Sequence, residues 1–159
     1  MFIRYYLELS VPFEDVVSSM LTDPASWVPG LARDAEDRGE RLLTEVGFEV
    51  DPSRRIDKEV EIEIGSPYTM PSKTLLPMAW KAKGAERAFP RLEADIEMAP
   101  LGPSRTQLSI SARYRPPFGV IGRVLDKALL HRVAEATVKD FLDRTGERIA
   151  ATVPAPADG

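Results

Sequence analysis

Apolar and polar residues alternate with a period of two over residues 2–10. Ile3, Tyr5, Leu7 and Leu9 share one face, and Arg4, Glu8 and Ser10 share the other; this pattern predicts a β-strand. After Val11-Pro12 the period changes. Phe13, Val16, Val17, Met20 and Leu21 recur at helical spacing, and Glu14 and Asp15 occupy the first turn, where carboxylates suit the positive end of the helix dipole. Asp23-Pro24 predicts the end of that helix. Residues 25–31 read as a short helical turn or loop anchored by Trp27, as a packing residue. Residues 32–40 read as a charged connector.

The period of two returns at Leu42. Leu42, Thr44, Val46, Phe48 and Val50 alternate with Leu43, Glu45, Gly47 and Glu49. Beyond an Asp51-Pro52-Ser53 turn, Ile56, Val60, Ile62 and Ile64 alternate with Asp57, Glu59, Glu61 and Glu63. Lys58 falls on the apolar register, where either its stem packs near a strand end while its charge escapes or it points into a pocket. The segment 65–72 reads as a loop, and its Tyr68, Met70 and Pro71 make it a candidate lid. Leu76, Met78, Trp80 and Ala82 form the next strand face. Pro77 cannot donate to a ladder, so that strand is expected to be irregular or at an edge. Leu92, Ala94, Ile96 and Met98, a hairpin loop at 100–103, and then Thr106, Leu108, Ile110, Ala112 and Tyr114 complete the series. One apolar face and one wet face is the signature of antiparallel sheet, and short connections favour a meander.

Pro116-Pro117 fixes the earliest start of the last element, a helix of about 30 residues that is on the order of 45 Å long. Its apolar stripe holds Val120, Val124, Ala128, Ala134, Val138, Leu142, Thr145 and Ile149, flanked by Ile121 and Phe141. Gly146 is expected to mark fraying. Leu125, Leu129, Leu130 and Val133 make the first half apolar on a second side, which fits either packing under another segment or a dimer contact. His131 and Glu135 interrupt the stripe at i, i+4. They read either as a local hydrogen-bonded pair at its edge or as polar groups facing an internal cavity. A helix this long needs a sheet to lie across.

Composition narrows the field. The chain has 159 residues, one domain's worth, and 43% of them are hydrophobic, enough for a real core. A net charge of −4 argues against coating nucleic acid or an anionic membrane. With no cysteine and one histidine, disulfides, thiolate chemistry and a transition-metal site are not expected. No apolar run approaches a membrane span, and no signal-peptide block is visible, so the expected location is cytoplasmic. No phosphate-cradling glycine loop, nucleophile triad or basic patch interleaved with aromatics is present.

Three features together carry a resemblance: this element order, the Pro12-led helix ending in Leu-Thr-Asp-Pro-Ala-Ser-Trp-Val-Pro-Gly at 21–30, and Tyr-Arg-Pro-Pro-Phe-Gly-Val-Ile-Gly-Arg-Val-Leu-Asp at 114–126. The chain resembles the superfamily of START-type lipid transfer domains, polyketide cyclases and the major birch pollen allergen, whose fold is called the helix-grip. The resemblance implies an α+β helix-grip domain over 1–150. A curved antiparallel sheet of six or seven strands would wrap around the long C-terminal helix, with two short helices after the first strand and a Pro/Ala-rich tail at 151–159.

It also implies a ligand cavity between sheet and helix. The ligand-binding candidates are Tyr5, Phe48, Ile62, Met78, Trp80, Met98, Tyr114, His131, Glu135 and Val138, with Leu7, Ile96, Ile110 and Leu142 beside them. The aliphatic members fit a plain core equally well, whereas the polar groups of Tyr5, Trp80, Tyr114, His131 and Glu135 need partners. The expected function is binding or transport of a hydrophobic small molecule such as a lipid, polyketide or isoprenoid. Two alternatives are a cyclase or dehydratase using His131 and Glu135, and a homodimerising or protein-interaction module. No cofactor, metal, nucleic acid or stable membrane insertion is expected, and the chain is expected to be a monomer or homodimer.

Overall fold

The structure, a computed structural model, describes residues 1–45, 60–82, 91–115 and 127–153. In chain order the elements are β1 (Phe2–Leu9), α1 (Phe13–Leu21), α2 (Pro24–Glu45), β2 (Val60–Ile64), β3 (Tyr68–Met70), β4 (Lys73–Ala82), β5 (Arg91–Pro100), β6 (Thr106–Arg115) and α3 (Lys127–Thr152). The six strands form one antiparallel sheet in the order β1-β6-β5-β4-β2, and β3 also pairs with β4. The period of two written in the sequence decides which face is dry. Leu92, Ala94, Ile96 and Met98 of β5 and Leu108, Ile110, Ala112 and Tyr114 of β6 are buried on the inner face, while Arg91, Glu93 and Asp95 are exposed on the outer one. The helix α3 packs on the inner face through Val138, Phe141, Leu142 and Ile149, and the Phe141 ring meets Trp80 with centroids 4.9 Å apart at 54°.

The largest departure from the sequence reading is α2. Residues 32–40 are not a connector, and Leu42 to Glu45 do not begin a strand; all belong to one helix of 22 residues. The second helix after β1 is therefore long rather than short. Asp23 takes a left-handed φ of 45° between the two helices, a conformation Asp tolerates better than most residues, and Pro24 occupies the first helical position, where its missing N–H costs nothing. The buried face of α2 is Trp27, Val28, Ala32, Ala35, Glu36, Gly39 and Glu40, a helical period written in small and acidic residues. Trp27 is the packing anchor expected, with the Arg148 guanidinium 4.7 Å above its ring.

Small residues let α2 approach α3 closely. A Cβ at Gly39 would lie 2.4 Å from Thr137 Oγ1 and 3.4 Å from Val133 Cγ1. On the second apolar side of α3, Val133 is buried beside Gly39 of α2, whereas Leu129 and Leu130 are half-buried. Gly146 does not fray. It is buried inside α3, and a Cβ there would stand 3.2 Å from Leu9 and 3.3 Å from Leu7 side-chain atoms, so its lack of a side chain sets how near α3 comes to β1.

The candidate lid at 65–72 contains β3, a strand hydrogen-bonded to β4 with Tyr68 opposite Leu75. Pro77 is not on an edge strand, because β4 has β5 on one side and β2 and β3 on the other. Its carbonyl accepts from Gly65 N–H at 2.8 Å, just past the end of β2, so the proline gives up only the reciprocal bond of that one pair. The helix α3 continues to Thr152, and Val153 still packs against the core, so the tail contributes more than expected. The strand positions 46–59, Lys58 among them, and the helix start at 116–126 lie outside the described residues.

Candidate functional site

The inner face of the sheet carries a polar node where a plain core would have only apolar contacts. Tyr114 of β6 and Trp80 of β4 lie in one row, each opposite Leu92 of β5. They are two strand spacings apart, on the order of 9.6 Å, yet both reach one carboxyl group. Trp80 Nε1 donates to Glu36 Oε1 at 2.8 Å, and Tyr114 OH donates to Glu36 Oε2 at 2.8 Å. Glu36, Trp80 and Tyr114 are each only 1% exposed. The small-residue face of α2 brings Glu36 this deep: Ala32, Ala35 and Gly39 leave the room, and the contact of Gly39 with Thr137 fixes the approach. Thr137 itself donates to Val133 O at 2.8 Å.

Burial pushes the Tyr114 hydroxyl well above the ordinary tyrosine value, and the negative charge of Glu36 adds to this, while Thr137 opposes it. Tyr114 therefore keeps its proton and acts as a donor at neutral pH. Two donors aimed at one buried carboxyl group satisfy the Trp80 and Tyr114 polar atoms that the sequence flagged as needing partners.

Met78, Trp80, Met98, Tyr114 and Val138 come together in one buried apolar cluster of the interior. Ile62 extends the Tyr114–Leu92–Trp80 row onto β2 but stays half-buried, as do Val60 and Ile64 on the same face. Tyr5 sits at the opposite margin, on β1. Its hydroxyl donates to Asp143 Oδ1 at 2.9 Å, Lys139 Nζ lies 5.5 Å from its ring centre, and Lys139 also bonds Asp143 Oδ2 at 2.8 Å. Burial, with Asp143 second, raises the Tyr5 hydroxyl above its usual range. Its polar group is committed to the surface of α3 rather than to the interior.

His131 and Glu135 do not join this group. Their side chains are 51% and 57% exposed and bond each other at 2.9 Å, Nε2 to Oε1. The geometry is that of the local pair at the edge of the helix, not of two groups facing a cavity. Phe48 lies outside the described residues. The residue that sequence reasoning missed is Glu36. The signal was present: Val28, Ala32, Ala35 and Gly39 recur at helical spacing and place Glu36 and Glu40 on the same stripe. Among the described residues no group of three or more His, Cys, Asp or Glu could hold a metal ion, and no helix is long and apolar enough to cross a membrane.

No protein-family model matches this chain, and no curated protein does. Solved structures do. A conserved protein from Geobacillus kaustophilus aligns over 96% of this chain and 97% of its own, with a TM-score of 0.54 and 15% identity. A START superfamily protein from Mycobacterium smegmatis aligns over 96% and 99% at a TM-score of 0.40 and 13% identity. The Zhui aromatase/cyclase from a Streptomyces species aligns over 100% and 98% at 0.37 and 11%. An antiparallel sheet packed on a long C-terminal helix, with two helices after the first strand, is an α+β helix-grip fold. At these identities the likeness is one of fold.

Proposed function

We propose that the protein binds a hydrophobic small molecule between the sheet and helices α2 and α3, with the Glu36 node as the polar handle. The carrying observation is the buried carboxyl group of Glu36 held by Trp80 and Tyr114. Burying a carboxyl group costs free energy that its hydrogen bonds must offset, and an apolar trio of similar volume in place of Glu36, Trp80 and Tyr114 would fill this space without that cost. A site that must orient a ligand's polar end uses such a group. The ligand meets the half-buried Val60, Ile62 and Ile64 first and reaches the node when the side chains around Trp80 part. Met78 and Met98 suit a space that repacks, because the thioether chain is unbranched and adaptable.

The cyclase or dehydratase reading loses its acid–base pair, since His131 and Glu135 stand in solvent. The test is native mass spectrometry of freshly purified protein, followed by extraction and by titration with a hydrophobic dye. An apolar compound bearing a hydrogen-bonding end should co-purify, and Glu36→Gln should weaken its retention while the protein stays folded. Absence of both a bound compound and dye binding would reject the reading.

A further inference from the structure

The outer face of the sheet has a feature unrelated to the interior. A trough of about 650 Å³ crosses it. Its floor follows from the register: the row Ser111–Asp95–Pro77 ends on Gly65, so three of the four positions are small or lack a flexible side chain. Aromatic side chains stand on strands at both edges of this face. Phe2 and Tyr6 on β1 are 64% and 61% exposed, and Tyr68 on β3 is 61% exposed. Exposed aromatics grouped on one face mark contact surfaces more often than scattered single ones do.

The charges on this face are divided. Through the three middle rows, β1 and β6 carry Arg4 and Arg113 and no carboxylate, whereas β5 and β2 carry Glu93, Asp95, Glu97 and Glu63 and no base. Glu93 pairs with Arg91 at 2.8 Å and Glu97 with Lys73 at 3.3 Å. Among the described residues, Arg4 and Arg113 on one half and Glu63 and Asp95 on the other make no ion pair.

We propose that this face binds a second copy of the same chain about a two-fold axis, basic half onto acidic half. A surface divided this way is complementary to itself when rotated by a half-turn, because each half meets its opposite twice. The same rotation carries the Tyr68 end of one copy toward the Phe2–Tyr6 end of the other. Strand spacing and repeat give a face roughly 20 Å by 27 Å. That is smaller than the roughly 800 Å² per partner of a standard stable interface, so the dimer is weak, concentration-dependent and sensitive to salt.

Sedimentation velocity over a concentration series at low and high salt tests this, with two double variants of exposed residues. Arg4→Glu/Arg113→Glu makes both halves acidic, and Glu63→Lys/Asp95→Lys makes both halves basic. Wild type should self-associate at low salt and less at high salt. Each variant alone should associate roughly tenfold more weakly or worse, while an equimolar mixture of the two should recover the wild-type association, since every reversed charge then meets its complement. Unchanged thermal unfolding of the variants shows that loss of association is not loss of fold. A wild type that stays monomeric, variants that associate like wild type, or a mixture that fails to recover would each overturn the proposal. The first of these would leave the face to a different partner.

Discussion

The protein holds two acid–donor arrangements of nearly equal geometry and opposite worth. On α3, His131 meets Glu135 at 2.9 Å with both side chains more than half exposed. In the interior, Trp80 and Tyr114 meet Glu36 at 2.8 Å each, with all three buried. Distances alone would rank them together. Burial separates them: an exposed pair one helical turn apart contributes a few tenths of a kcal/mol because water competes for both partners, whereas a buried donor deprived of its acceptor costs about 1 to 3 kcal/mol. The pair conspicuous in the sequence is the weak one.

The strongest way to break this contrast is Glu36→Ala. It strands two buried donors and leaves a void, so we expect a loss of about 3 to 5 kcal/mol in denaturant unfolding. A loss below about 1 kcal/mol would mean that the node is not buried in solution.

The next effect is at the helix crossing that delivers Glu36. Gly39→Ala forces a Cβ against Thr137 Oγ1. The overpacking cost of about 1 to 3 kcal/mol should exceed the roughly 1 kcal/mol that alanine gains as a helix former. Adding Thr137→Ala should recover much of the loss, and a strictly additive double variant would contradict direct contact.

A third prediction uses pH. The Tyr114 hydroxyl is raised well above 10.0 by burial, with Glu36 second. Below pH 10 both folded and unfolded chains keep this proton, and it contributes no pH dependence. Above that value the unfolded chain releases it and the folded chain does not, so stability falls with rising pH, by up to about 1.4 kcal/mol per pH unit for this group. Tyr5 is raised in the same direction and adds to the fall. Tyr114→Phe should be less stable than wild type at neutral pH, yet lose less between about pH 10 and pH 11 in equilibrium unfolding. Parallel losses would show that Tyr114 titrates as an exposed tyrosine.

The smallest effect sharpens the comparison from its other side. His131→Ala or Glu135→Ala should change stability by no more than about 0.5 kcal/mol and leave dye binding unchanged. A loss of binding in either variant would return that pair to the candidate site.

Much of the architecture was legible before the structure. The burial of β5 and β6 follows from Leu92 to Met98 and Thr106 to Tyr114 alternating with polar neighbours, and Val138, Phe141 and Leu142 announced the face of α3 that meets the sheet. The helix α2 was not legible in the same way, because its buried stripe of Ala32, Ala35, Glu36, Gly39 and Glu40 is small and acidic. Hydropathy alone makes such a stripe look like a wet connector, even though its spacing is helical. Gly39 and Gly146 show the same limit. Gly39 was hidden in an apparent connector and Gly146 looked like a cost to its helix, and each proved to be where another element comes close.

The sequence by itself determined the periods, and so which face of each strand and of α3 is dry, because side-chain direction is a local consequence of backbone geometry. It also flagged Trp80, Tyr114 and Tyr5 as apolar bodies whose polar atoms need partners. Only the tertiary structure decided which partners those are. Glu36 is 44 residues from Trp80 and 78 from Tyr114 along the chain, and His131 is four from Glu135. Local spacing can propose the second kind of pair. The first kind exists only once two helices and a sheet have packed closely enough to exclude water, and that exclusion is what gives the carboxyl group its weight.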